Sequence, residues 1–359
     1  MNKDLFYIMG AGRSGTTIFG ILLNQVPNLE HVGEINKFFE FRGIPHGFEM
    51  ETKHYQFYNS IYKSLINKKH ITLDHKTDFH TRILFFILGI YNKKKVLSYV
   101  VNHDLLLSTL AEKFNKSIID SSKYCVRALI LNKYSSFNIK ILFLRRSIYS
   151  VYKSFSKIGI EQPNKSFINF ILYYSIVNLS SIYVYFNYKK CNRYYLKYEN
   201  LTLNTFDEFV NIREKFKFDI KDLLKLLYNQ QKLKTGLIFE GNRIRLNSEI
   251  DFNLQKSSPV RHFGINFNTL CSNDIFFSNR SFNHIATVNA EFIVKARKSK
   301  QFDDLLSNCS CTIDGQLPFL IIKLFNMSKP IFKISGSSLV FTFAEYCKVF
   351  NKKIFLLGS

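Results

Sequence analysis

The stretch that most constrains the fold lies at residues 5–24. Residues 5–9, Leu-Phe-Tyr-Ile-Met, form an apolar run of strand length and read as a buried strand. A turn rich in glycine follows at residues 10–15, and an apolar helix opens at Thr16 and Thr17. Strand, loop and helix in that order bring backbone N–H groups and a helix N-terminus to one point, which is how a chain cradles a phosphate or sulfate. Gly10 and Gly15 have the separation found in loops that bind nucleoside triphosphates. Thr16, however, stands where such a loop needs the Lys that reaches the terminal phosphates. The cation lies inside the loop instead, at Arg13, a placement that suits one anionic group gripped bidentately better than a Mg-bound triphosphate.

Strands and helices then alternate. After a break at Pro27 and Asn28, residues 30–34 read as a short strand ending in the carboxylate of Glu34. Residues 55–67 and 81–91 have helical apolar content, and residues 105–114 read as a helix. Residues 116–123 read as a second strand running into a polar turn, and residues 126–133 as another helix. Residues 138–144 form a third apolar strand that ends in Arg145 and Arg146, and residues 148–155 begin a helix. This alternation implies a parallel sheet covered on both faces. Ligands of such sheets bind beyond the carboxyl ends of the strands, so the turns at residues 10–17, 120–123 and 146 onward should converge. Asp120 alone has the position of a Mg-binding carboxylate, but without the loop Lys that reading lacks its main cation.

The segment Gly10-Ala11-Gly12-Arg13-Ser14-Gly15-Thr16-Thr17 resembles the 5′-phosphosulfate loop of sulfotransferases that use 3′-phosphoadenosine 5′-phosphosulfate (PAPS). The resemblance implies a P-loop-like three-layer α/β fold with a parallel sheet, the sulfotransferase fold, and PAPS bound by Gly12, Arg13, Ser14, Gly15, Thr16 and Thr17. Residues 140–154 resemble the 3′-phosphate element of that family and assign Arg146 and Ser154 to the 3′-phosphate. They depart from the usual Arg-Asp-Pro-Arg by reading Arg146-Ser147-Ile148-Tyr149, which lacks the second Arg. Asp120-Ser121-Ser122-Lys123, Tyr198-Glu199-Asn200-Leu201 and Gly241-Asn242-Arg243-Ile244-Arg245 resemble further family turns in the same order, and the last adds Arg245 to the nucleotide site. The resemblance covers about residues 1–257. Its Gly33-Glu34 pair is similar to that of tyrosylprotein sulfotransferases and implies Glu34 as the base that takes the acceptor proton. A partly dry cleft is expected to raise the pKa of such a carboxylate. Arg13 then neutralises the charge that builds on the leaving phosphate, Lys123 assists at the sulfonate, and His31 is a second, lower-ranked candidate base.

From about Val260 a different pattern begins. Phe263-Gly264-Ile265, residues 283–292 with Thr287 and Asn289, Asp314-Gly315, Ser335-Gly336-Ser337 and residues 353–358 resemble the N-terminal half of WecG/TagA/CpsF glycosyltransferases, which use a UDP-sugar donor and a lipid-linked acceptor. The resemblance assigns Thr287, Asn289 and Asp314 to the sugar pocket. The sequence stops at Gly358 and Ser359, where the Gly-rich UDP-binding turn of that family begins. A second, incomplete α/β segment at residues 258–359, without glycosyltransferase activity of its own, is the expectation.

Composition limits the alternatives. Hydrophobic residues make up 46% and charged residues 21% of 359, a globular balance. The formal net charge of +23 is spread along the chain, with short clusters such as Lys93-Lys94-Lys95 and no nucleic-acid-reading motif, so it favours small anionic ligands or an acidic glycan over nucleic acid. Six cysteines without metal spacing suit a reducing cytoplasm, and no metal site is expected. The N-terminus enters a strand directly, without the pattern of a signal peptide. Residues 166–188 contain no charge and are long enough to span a bilayer, yet Asn169, Asn178 and Asn187 favour a buried or surface-docked helix. The leading expectation is a cytoplasmic PAPS-dependent enzyme that sulfates a surface polysaccharide or its precursor, reaching the inner face of the membrane through a lipid-linked glycan. The alternatives are a UDP-N-acetylmannosamine-type glycosyltransferase, a P-loop kinase and a non-catalytic nucleotide- or glycan-binding derivative.

Overall fold

The computed structural model describes residues 4–66, 82–156, 166–277, 284–327 and 329–355. Asn67, Thr81, Asn283 and residues 356–359, on which parts of the expected pattern fall, lie outside the described residues. The chain divides into two compact units, one made of Met1–Tyr198 with Lys232–Asp251, the other of Glu199–Gln231 with Phe252–Ser359.

The first unit is built on a five-stranded parallel sheet. In chain order its strands are β1 (Asp4–Met9), β2 (Leu29–Gly33), β3 (Ser117–Lys123), β4 (Asn138–Arg145) and β5 (Arg193–Lys197), and in space they run β2-β3-β1-β4-β5. β1 is flanked by a strand on each side, and Leu5 to Met9 are all buried. Covered on both faces, it needs no polar alternation, which is why its sequence is a continuous apolar run. Eight-residue α1 (Thr16–Leu23) follows the loop. The helices α2 (Lys53–Ile66), α3 (Ile83–Ile87), α4 (Lys93–Phe114), α5 (Cys125–Tyr134), α6 (Ile148–Phe155) and α7 (Phe167–Asn187) come next in the chain.

Alternation along β1 explains the layering. Leu5, Tyr7 and Met9 share a core with Val100 and Leu107 of α4, Val126 and Ile130 of α5 and Val184 of α7. Phe6 points the other way, in register with Ile119 of β3, which is itself opposite His31 of β2. His31 packs on α1: a Cβ at Gly20 would stand 2.3 Å from its Nε2. α1 thus covers one face and α4, α5 and α7 the other, as expected for a three-layer fold. The expected start of α4 at residue 105 is extended to Lys93, where Asn92 caps the helix by accepting from the Lys95 N–H.

Two small strands, β6 (Leu233–Lys234) and β7 (Glu249–Ile250), pair antiparallel within this unit. Between them the chain runs alongside β2: the Phe239 N–H donates to Val32 O at 2.9 Å and the Glu34 N–H to Glu240 O at 2.8 Å. A side chain at Gly33, whose φ is 79°, would stand 2.3 Å from Glu240 O, so glycine is required for this approach.

The second unit contains α9 (Thr205–Phe216) and α10 (Lys221–Tyr228), preceded by α8 (Tyr198–Leu203), whose first residue belongs to the first unit. A hairpin of β8 (Val260–His262) and β9 (Ile265–Phe267) turns at Phe263 and Gly264, both left-handed with φ of 57° and 88°. After α11 (Asn273–Phe276), β10 (Ile285–Val288) leads through α12 (Ala290–Lys298) and α13 (Lys300–Ser307) to β11 (Ser310–Ile313), which pairs parallel with it. α14 (Gln316–Phe325) and α15 (Gly336–Phe350) complete the unit. This division differs from a boundary near residue 257. Residues 199–231 go with the C-terminal residues because Asn273 donates to Thr202 O at 2.7 Å and accepts from the Thr205 N–H at 3.0 Å, and Arg213 pairs with Glu345 at 2.7 Å.

Candidate active site

The loop begins where β1 ends. Gly10 crosses β4 so closely that a Cβ there would stand 2.3 Å from Leu144 O. Arg13 (φ 65°) and Gly15 (φ 97°) then adopt left-handed backbone, and a side chain at Gly15 would run into the Tyr198 ring at 2.4 Å. For Arg13 that conformation costs roughly 1–2 kcal/mol. Several bonds offset the cost. The Ser14 hydroxyl donates to Ala11 O at 2.6 Å, the Gly12 N–H to the Tyr173 hydroxyl at 2.8 Å, and Arg146 Nη1 to the Arg13 carbonyl oxygen at 3.1 Å. Arg146 lies over the Tyr198 ring at 4.3 Å, and its own carbonyl accepts from the Tyr174 hydroxyl at 2.6 Å. Its Nε is buried without a hydrogen-bond partner among the described residues.

Glu34 sits at the end of β2, fixed by the backbone bond to Glu240. Its carboxylate is held between two ammonium groups: Lys123 at one oxygen and Lys37, one 3₁₀ turn on, at the other at 2.9 Å. Lys123 reaches it from a left-handed position (φ 73°) at the end of β3. Burial by itself would raise the Glu34 carboxyl, but Lys123 and then Lys37 outweigh it and hold the group at about 2. The expectation of a raised pKa is therefore corrected: a cleft that is dry but doubly cationic stabilises the charged form.

These groups surround a cavity of about 240 Å³ beyond the carboxyl ends of the strands. Gly12, Arg13, Gly15, Thr16, Thr17, Glu34, Lys123, Arg146 and Ser154 line it together. So do Lys37, Glu240, Gly241 and Asn242, which the sequence reading did not assign. Four cationic side chains (Arg13, Lys37, Lys123, Arg146) thus face two carboxylates. Ser14 lies beneath the loop, its hydroxyl committed to Ala11.

Arg245 is also outside the lining. It donates to Glu240 at 2.8 Å and to His46 O at 2.8 Å, with its guanidinium 5.3 Å from the Phe48 ring centre. The turn that carries it reaches the cavity through Gly241, Asn242 and Ile244 instead.

His31 lies outside the cavity lining. It is buried under α1 with Nε2 2.9 Å from the Ser121 hydroxyl, and burial, reinforced by Lys123, lowers its pKa to about 3, so the ring is neutral. Asp120 is likewise spent internally. It accepts from Arg127 Nη2 at 2.8 Å and Nε at 3.2 Å, and from the Ser122 N–H at 2.8 Å. That bidentate pair, fully buried, stiffens the turn that presents Lys123.

In the second unit, Thr287, Asn289 and Asp314 come together at the carboxyl ends of β10 and β11. Thr287 is opposite Thr312, Asn289 caps α12 by accepting from the Phe292 N–H at 3.0 Å, and the Asp314 N–H donates to Val288 O at 2.9 Å. The Asp314 carboxylate accepts from the Gly315 N–H at 2.7 Å and the Gly336 N–H at 3.1 Å. Among the described residues no group of His, Cys, Asp and Glu side chains has the arrangement of a metal site.

Comparison with known proteins gives two separate likenesses. Residues 263–359 match the family model described as the glycosyl transferase WecG/TagA/CpsF family. Among solved structures the chain is similar to the sulfotransferase domain from the curacin biosynthetic pathway, with 15% identity over 68% of this chain and 83% of that one, and a TM-score of 0.41. It is similar to the sulfotransferase domain from the Synechococcus PCC 7002 olefin synthase at 18% identity, over 62% and 76% of the two chains, with a TM-score of 0.36. For the sulfotransferase STF9 from Mycobacterium avium the values are 11%, 68%, 74% and 0.41. No curated protein sequence matches the chain.

Proposed function

We propose that the first unit is a PAPS-dependent sulfotransferase that acts on a hydroxyl of a carbohydrate, a surface polysaccharide or its precursor. The observation that carries this reading is the cavity in which Arg13, Arg146 and Lys123 meet beside Glu34 with Thr16, not Lys, at the loop end. The residues suit a bisphosphorylated donor. The buried, unpartnered Nε of Arg146 is a donor in want of an anion, and Gly241 leaves open the space over Thr17, where a Cβ would meet its hydroxyl at 3.4 Å. When bound, PAPS supplies the sulfuryl group, which passes from its phosphate to the acceptor oxygen.

The chain's own residues do the rest. Arg13 and the N-terminus of α1 neutralise charge at the loop, and Arg146 with Ser154 holds a second anionic group. Glu34 takes the proton of the acceptor hydroxyl. With two ammonium partners it is a weak base, so an anion that enters the cavity and competes for Lys123 returns basicity to Glu34. Proton transfer to Glu34 therefore needs the anionic donor in place. The test is transfer of labelled sulfate from PAPS to a panel of oligosaccharides by the full chain. Wild type should transfer, and Glu34→Gln should lose about a hundredfold or more in turnover. Equal turnover by Glu34→Gln would remove Glu34 from its role.

A second reading belongs to residues 263–359, favoured by the family match and by the clustering of Thr287, Asn289 and Asp314. It makes this unit a glycosyltransferase-type segment that handles the same glycan. Binding of UDP-sugars that is lost on Asp314→Ala, with sulfate transfer intact, would support it.

A further inference from the structure

We infer that α7 docks the first unit on an anionic lipid surface, lying along the membrane with its outer face in contact with lipid. The helix has two unlike faces. Phe170, Tyr174, Val177, Ser181 and Val184 are buried in the unit. On the opposite side Ile168, Leu172, Ile176, Leu179, Tyr183 and Phe186 are exposed, Ile168 at 70% and Leu179 at 68%. This stripe runs the length of a 21-residue helix, about 31 Å at 1.5 Å per residue, and the helix contains no charged residue.

Charge at the two ends identifies the occupant. Lys189 and Lys190 are exposed just beyond the C-terminal end, and Arg193 lies over the Phe186 ring at 4.9 Å. At the other end exposed Lys153 stands on α6 beside Tyr152, whose ring packs 5.5 Å from Phe167. An apolar stripe without acids, bounded by cations, is complementary to acyl chains beneath anionic headgroups.

The helix is long and apolar enough to cross a bilayer, but its other face is committed to protein. Tyr173 accepts from the Gly12 N–H, Tyr174 donates to Arg146 O, and Asn178 is buried. Docking, not crossing, satisfies both faces. The docked helix is tied to the anion loop through Tyr173 and to the turn at Arg146 through Tyr174.

The experiment is sedimentation of the full chain with phosphatidylglycerol-containing vesicles and with pure phosphatidylcholine vesicles, read without turnover so that it is independent of the proposed reaction. Wild type should bind the anionic vesicles and release at high salt. Leu172→Glu with Leu179→Glu, both on the exposed face, should partition roughly tenfold or more weakly. Lys189→Glu with Lys190→Glu should lower binding to anionic vesicles selectively. Circular dichroism confirms that each variant is folded, and the Ser versions of the two Leu changes give a milder loss of the same sign. Absence of binding by wild type at low salt overturns the inference. So does equal binding by the Leu172→Glu, Leu179→Glu variant, or a wild-type dimer that this variant renders monomeric with no vesicle binding by either.

Discussion

Replacing Lys123 by Met removes the tighter of the two partners of Glu34 while leaving Lys37 at 2.9 Å and the burial of the carboxylate unchanged. In wild type the carboxyl lies at about 2, against an ordinary value of 4.5. At ~1.4 kcal/mol for each tenfold change, that gap corresponds to about 3 kcal/mol. Because the folded-state value is depressed, this stability is present above pH 4.5 and is lost as the pH falls toward 2. In Lys123→Met burial is opposed by Lys37 alone, so the carboxyl should rise by about two pH units or more, to the ordinary range or above. The assay is carboxyl-carbon NMR titration of Glu34 in both proteins, assigned with Glu34→Gln. A midpoint that stays near 2 in Lys123→Met would refute the idea that Lys123 controls the charge of Glu34. Release of basicity by a competing anion would fall with it.

Further expectations concern the loop and its support. Gly15→Ala puts a Cβ into the Tyr198 ring at a φ of 97°, and should cost about 1–3 kcal/mol together with anion binding; thermal unfolding and calorimetry check both. Asp120→Asn leaves the buried Arg127 without its counter-charge and should destabilise the first unit by about 3–5 kcal/mol in urea unfolding.

The core of the fold was legible in the sequence because its signals are local. The apolar run of β1, the glycines of the loop, the strand ending in Arg145 and the helix at residues 148–155 each announce themselves within a few residues. Interactions between distant residues were not legible. Lys123 meets Glu34 across 89 positions and Tyr173 meets Gly12 across 161, so neither the depressed carboxyl nor the tyrosine anchor of the loop has a local signature.

The late turn shows the same limit. The motif Gly241-Asn242-Arg243-Ile244-Arg245 is local, and a motif does not say which way its Arg faces. Backbone pairing of residues 239–240 with β2 sends Gly241 and Asn242 into the cavity and leaves Arg245 with Glu240. Lys37 had a readable signal, since a cation three residues after a carboxylate in a helical turn is an ion-pair spacing. Residues 199–231 follow the first unit in chain order yet pack with the C-terminal residues, through pairs such as Arg213 and Glu345 that are too far apart in the chain to leave a local signal.

Isothermal calorimetry of the full chain with 3′,5′-bisphosphoadenosine, UDP and Mg-ATP tests the central claim most directly. The account expects the bisphosphate to bind tightly, with affinity falling on Arg13→Ala and on Arg146→Ala, and Mg-ATP to bind weakly at this site. Tight binding of Mg-ATP or UDP in the cavity at Arg13 and Arg146, without binding of the bisphosphate, would contradict it.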